Sequence, residues 1–225
     1  MITDDLSDAT WLTHVQSDGS NIGGQPPLHY SVLPIPGKHH ALLLSTAGNT
    51  GKATDYPAFL AYPSKPRPML STSGKLSFAF NYAVNGDLSG MNVGETDSLL
   101  VYAGWKYDAS AQFHQQLGFQ IVNARGDWVT VGFNPGPMVA NVERKVVFDY
   151  FFDLNARLTS VLAITCDGVR FPVPVQFLKV PASDTSQGGK VTPWLGGAYP
   201  QFQLGSMPSG APWAMAVSKT KYLWQ

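Results

Sequence analysis

Bulky and small side chains alternate through most of the stretches that glycine and proline leave uninterrupted. In Lys75-Leu76-Ser77-Phe78-Ala79-Phe80-Asn81-Tyr82-Ala83-Val84 the large residues fall at every second position. That is the period of a strand with one buried face, not of a helix. The same pattern predicts strands over 39–45, 98–106, 116–122, 128–133, 145–154, 157–166, 169–178 and 213–222. Many strands joined by short turns predict an all-β sandwich.

Residues 138–167 form the longest run free of glycine and proline. Phe148, Phe151, Phe152 and Leu162 partly fit a helical spacing, but the β-branched and aromatic content favours two strands that turn at Asn155-Ala156. The run ends in Ile164-Thr165-Cys166-Asp167-Gly168-Val169-Arg170-Phe171. A two-residue Asp-Gly loop between strand-forming runs suits a type I′ turn, whose central residues both need positive φ. Asp167 therefore reads as a turn former and not as a catalyst. Pro172 and Pro174 lack backbone donors at alternate positions, so the second arm is expected at a sheet edge or at a bulge.

Composition narrows the class. The chain has 225 residues, 44% hydrophobic and 13% charged, which suits a compact, soluble globule with a substantial core. Loop-rich stretches occur at 17–27, 48–57, 63–68 and 182–197, yet no shift of composition marks a linker, and a single domain over 1–225 is expected. Fifteen basic residues balance fifteen acidic ones. With no Lys/Arg-rich run among aromatics, neither nucleic acid nor a membrane surface is an expected partner. No apolar segment is long enough to span a bilayer. The opening Met1-Ile2-Thr3-Asp4-Asp5 lacks a basic n-region, so no export signal is read there, although a secreted chain trimmed of its leader would look the same. The lone Cys166 excludes an intrachain disulfide framework and reads as a small buried strand residue.

The order of features resembles the concanavalin A-like lectin/glucanase superfamily, which includes laminin G-like modules, glycan-binding modules, glycoside hydrolases and polysaccharide lyases. The residues that carry the resemblance are "DDLSDATW" (4–11), "HHALLLSTAG" (39–48), "KLSFAFNYAV" (75–84), the hairpin at Asp167-Gly168 and "WLGG" (194–197). The resemblance implies a jelly-roll β-sandwich of two mainly antiparallel sheets and a carbohydrate ligand. It does not extend to the enzymes' signatures: "ETD" at 95–97 supplies only the first half of an E-x-D-x-E constellation, and the lyase strands "QIH" and "YFKAGVYNQ" do not occur.

Chemistry is constrained by scarcity. A glycosidase needs a proton donor and a second carboxyl group, and Glu95 and Glu143 are the only glutamates. They are the candidate catalytic pair, with Asp97, Asp149 and Asp153 as further carboxylates; Asp149 and Asp153 would share a strand face. The histidines, His14, His29, His39, His40 and His114, contain no HxH or HxxxH pair, so no zinc site is expected. No cofactor is required, though calcium is possible through Asp4, Asp5 and Asp8 or the Asp/Asn-rich loops. There is no GxSxG elbow, and "GDLSGMNVGE" (86–95) lacks phosphate-loop spacing.

What stands out is an aromatic surplus near predicted loops and strand ends. Trp105, Tyr107, Trp128 and Trp194 are the expected ligand-binding residues, where rings would stack on the apolar faces of sugars. Trp105 and Tyr107 would share one face of a regular strand, beside Ala103 and Gly104. The leading expectation is a protein that recognises oligo- or polysaccharide. The alternatives are a glycoside hydrolase or polysaccharide lyase of the same fold, and a structural component of a virion or appendage.

Overall fold

A computed structural model of the chain describes residues 2–3, 6, 11–16, 29–36, 39–45, 58–63, 70–86, 97–102, 110–114, 118–123, 125, 128–132, 139–153, 155–156, 158–174, 178–179, 183–187, 190–193, 199–204 and 213–225. In chain order the strands are β1 (Ile2–Thr3), β2 (Trp11–Gln16), β3 (His29–Ile35), β4 (His39–Ser45), β5 (Ala58–Pro63) and β6 (Ser73–Gly86). Then come β7 (Asp97–Tyr102), β8 (Ser110–His114), β9 (Gly118–Val122), β10 (Trp128–Thr130), β11 (Arg144–Asp153) and β12 (Leu158–Cys166). The last six are β13 (Val169–Pro172), β14 (Leu178–Lys179), β15 (Ser183–Gln187), β16 (Lys190–Pro193), β17 (Tyr199–Leu204) and β18 (Trp213–Trp224). No α-helix occurs among the described residues.

A nine-stranded sheet runs β13-β12-β11-β6-β18-β4-β3, with β1 beside β18 and β14 beside β12. A seven-stranded sheet runs β10-β9-β8-β7-β17-β5-β2, and β15 pairs with β16 separately. Every pairing is antiparallel. The chain crosses repeatedly from one sheet to the other, so β6 comes to lie between β11 and the far later β18. This is the two-sheet jelly-roll pattern, and it makes the β-sandwich expected from the sequence.

Alternation supplies the core. Leu76, Phe78, Phe80, Tyr82 and Val84 of β6, Val146, Phe148, Tyr150 and Phe152 of β11, and Met215, Val217 and Tyr222 of β18 are all buried. Each such side chain contributes about 1.5–3 kcal/mol by leaving water. Phe119 of β9 meets Phe148 edge-on at 5.9 Å, an aromatic contact that joins the second sheet to the first.

The two runs expected within 138–167 are β11 and β12, which turn at residues 155–156. Asp167 (φ 49°) and Gly168 (φ 85°) both have positive φ, as a type I′ turn requires. β13 ends the nine-stranded sheet, where Pro172 needs no further partner. The strand expected over 169–178 is broken in two around Val173 and Pro174. β7 is described from Asp97 to Tyr102, and the rest of the strand expected over 98–106 lies outside the described residues.

Two irregularities shape the face away from the core. Between Ser218 and Lys221, β18 places two residues, Lys219 and Thr220, opposite the single Phe80 of β6. Lys219 takes φ 55° there, the left-handed conformation common in bulges. The β11–β12 register also shifts at Asp149/Tyr150.

Candidate functional site

The core residues of β6 alternate with Lys75, Ser77, Ala79, Asn81, Ala83 and Asn85, which therefore point away from the core. Neighbouring strands continue that outer face with Lys145, Val147, Asp149, Phe151 and Asp153 of β11 and Ser218, Lys221 and Leu223 of β18. Three hydrogen-bonded groups stand on it.

In the first, Ser77 Oγ donates to Asp149 Oδ1 at 2.6 Å, and Arg170 Nη2 reaches Asp149 Oδ2 at 3.4 Å. In the second, Asn81 Nδ2 and Lys219 Nζ both donate to Glu143 Oε1, at 2.6 and 2.9 Å. The bulge in β18 is what carries Lys219 to this carboxylate. In the third, Asn85 Nδ2 donates to Asn141 Oδ1 at 3.0 Å. Asn141 is itself fixed by its backbone N–H to the Val84 carbonyl at 2.7 Å, with φ 63°. Val139 and Val142 flank it with exposed apolar surface.

The hydrogen bonds from Lys219 and Asn81 hold the Glu143 carboxyl below its usual pKa, outweighing a small opposing effect of burial. At neutral pH it is an ionised acceptor and not a proton donor. Along β11 and the residues leading into it, Glu143 and Asp149 are six residues apart, roughly 20 Å at strand rise, and Asp149 and Asp153 roughly 13 Å. Both separations exceed the roughly 5–10 Å of glycosidase carboxyl pairs.

A separate cluster sits at the Asp167-Gly168 turn. Asp167 Oδ1 accepts the Lys145 N–H at 2.8 Å, and Oδ2 accepts Arg144 Nε at 2.8 Å. The Asp167 N–H returns a bond to the Lys145 carbonyl at 2.9 Å. Partial burial disfavours its charge, but the Lys145 N–H and the Arg144 guanidinium prevail and keep the carboxyl below its usual range. Asp167 thus pins the hairpin to the start of β11, as expected of a turn former. Beside it, burial pushes the Cys166 thiol up to about 11 and raises the Tyr82 hydroxyl as well. Neither is a ready nucleophile.

Of the residues singled out from sequence, Glu143 is exposed on the outer face just before β11. Trp128 opens β10 at the edge of the seven-stranded sheet, its side chain outside the description. Glu95, Trp105, Tyr107, Trp194 and the trio Asp4, Asp5 and Asp8 lie outside the described residues. Among the described residues no three His, Cys, Asp or Glu side chains are grouped to hold a metal, and no helix is long and apolar enough to cross a membrane. The outer-face groups went unrecognised in the sequence, although Ser77 and Asn81 fall at the alternate positions of the strand pattern.

No protein-family model matches the chain, and no curated protein matches it. Solved structures similar to it include a cellulose-induced protein at 10% identity and TM-score 0.48, covering 99% of this chain and 97% of that one. Another is the Emp47p carbohydrate recognition domain, at 11% and 0.45, covering 95% and 88%. A GH131 β-glucanase catalytic domain from Podospora anserina follows at 12% and 0.38, covering 88% and 85%. Lectin-like and glucanase structures are thus among those similar to this chain. At such identities and scores the likeness lends no weight to any ligand or reaction.

Proposed function

We propose that the chain binds oligo- or polysaccharide, without covalent chemistry, across the outer face of the nine-stranded sheet. The observation that carries this reading is the set of polar groups held by one another on that face: Ser77–Asp149–Arg170, Asn81–Glu143–Lys219 and Asn85–Asn141. Sugar hydroxyls need donors and acceptors together, and groups already ordered lose less entropy on binding. The small Ala79 and Ala83 leave space between them, and Phe151 with exposed Val139 and Val142 offers apolar surface to sugar C–H faces. An ionised Glu143 suits acceptance of hydroxyl hydrogen bonds better than acid catalysis. Trp105, Tyr107 and Trp194 are proposed as additional stacking residues on sequence grounds, whereas Trp128 belongs to β10 of the other sheet and is left out of this face.

A glycan array followed by calorimetry on wild type, Asn81→Ala and Trp105→Ala tests the reading. Loss of the Asn81 amide should weaken binding about twofold to tenfold. Trp105→Ala should weaken it with an unchanged melting midpoint; a midpoint lower by many degrees would make Trp105 a core residue. Absence of binding to every glycan, or full affinity in Asn81→Ala, would overturn the proposal.

A further inference from the structure

The charges on the same face point to the class of glycan. One register row crosses the sheet through Arg170 of β13, Thr165 of β12, Val147 of β11, Ala79 of β6 and Lys221 of β18. It has a cation at each end and small or β-branched side chains between them. At about 4.8 Å per strand the row is roughly 19 Å long. Lys145 stands two residues from Val147 along β11, and Lys75 four residues from Ala79 along β6, both on the outer side and exposed. With Lys219 the face carries five cations, against the three carboxylates of Glu143, Asp149 and Asp153.

The carboxylates are already engaged. Glu143 accepts from Lys219 and Asn81, Asp149 from Ser77 and Arg170, and Asp153 from the Ala156 N–H. Lys75, Lys145 and Lys221 form no ion pair among the described residues. Positive potential is therefore left on a face whose chain as a whole is neutral.

We infer that the ligand is an acidic polysaccharide, bearing carboxylate or sulfate groups, laid across the strands along the Arg170–Lys221 row. This rests on the glycan reading above and adds the ligand's charge. The spacing of the cations argues for a polysaccharide over a nucleic acid. Duplex DNA presents a charge about every 1.7 Å, far denser than cations set roughly 10 Å apart on this sheet. A polymer with isolated charges on a hydroxyl-rich backbone matches both the sparse lysines and the amide and carboxylate groups between them.

The test is calorimetric titration of the wild-type chain and the Lys145→Ala/Lys221→Ala double variant with polygalacturonate, dextran sulfate, a neutral β-glucan and a DNA duplex, at low and at physiological salt. Both lysines are exposed, so the melting midpoint of the variant should match wild type. The inference expects an acidic polymer to bind more tightly than the neutral one, to weaken with salt, and to lose about fivefold to twentyfold in the variant. The polygalacturonate and dextran sulfate arms separate carboxylate from sulfate recognition. Equal affinity for neutral glucan with no loss in the variant would overturn the charge inference and leave the glycan reading standing. Failure of every polysaccharide would overturn both. Tighter binding of the duplex than of either acidic polymer would overturn the inference in favour of nucleic acid.

Discussion

Replacing Asp167 tests how the hairpin is held. Its carboxylate accepts one backbone N–H and one guanidinium N–H, both at 2.8 Å, with the side chain 44% exposed. Hydrogen bonds to a charged group are worth about 1.5–3 kcal/mol when buried, and at this exposure screening reduces the pair to about 1–1.5 kcal/mol. Asp167→Ala also puts an alanine at φ 49°, which costs about 1 kcal/mol more. The expected loss is about 2–2.5 kcal/mol, or a fall in melting midpoint of roughly 4–10 °C for a chain of this size. Asp167→Asn keeps an acceptor for Lys145 and tolerates left-handed φ, so it should lose only about 0.5–1 kcal/mol. Because the folded state lowers the Asp167 pKa, its contribution is fully present above the unfolded value of about 3.9 and disappears as pH falls through the folded one. Thermal melts from neutral to acid pH should therefore show wild type and the Asn variant converging in acid. An alanine variant as stable as wild type, or a constant gap between wild type and asparagine across that range, would refute the reasoning.

Gly168→Ala meets no atom within 4 Å, so its cost should be that of positive φ alone, about 1 kcal/mol by denaturant melt. Gly74→Ala should cost about 3 kcal/mol or more, since φ is +146° and a new Cβ would overlap the Gln225 carbonyl oxygen. Hydrogen exchange at Lys75 and Gln225, whose backbones exchange bonds at 2.7 and 2.9 Å, should speed up with it. Cys166 is 2% exposed with its thiol pushed up to about 11, and should resist thiol reagents at neutral pH until the chain unfolds; rapid labelling of the folded protein would contradict this.

The strands built on strict alternation were legible because one buried face writes itself into the sequence at period two. β4 was expected at 39–45 and spans His39–Ser45, and the Asp-Gly turn announced both its position and its backbone conformation. β3 and β17, which hold Pro34 and Pro200, were not among the strands expected. Pro34 lies on the edge strand β3 opposite His40, and Pro200 pairs with Val101 of β7 beyond the stretch where β17 meets β5, so each proline has a paired strand on one side only. The outer-face site was harder to see. Glu143 was visible as one of two glutamates, but its partners Asn81 and Lys219 lie 62 and 76 residues away. Only the β6–β18 register and the bulge at Lys219 bring them together. Sequence drew attention to Glu95 and Glu143 as a catalytic pair; Glu95 lies outside the described residues, and the hydrogen bonds around Glu143 keep it ionised.

The most direct test of the central claim is amide chemical-shift mapping of the isotope-labelled chain during titration with a glycan that it binds. Perturbations concentrated on the outer positions of β6, β11 and β18, with Asn81, Ala83, Val147 and Lys221 among the largest, are predicted. Perturbations confined to the seven-stranded sheet, with those amides unmoved at saturation, would contradict it.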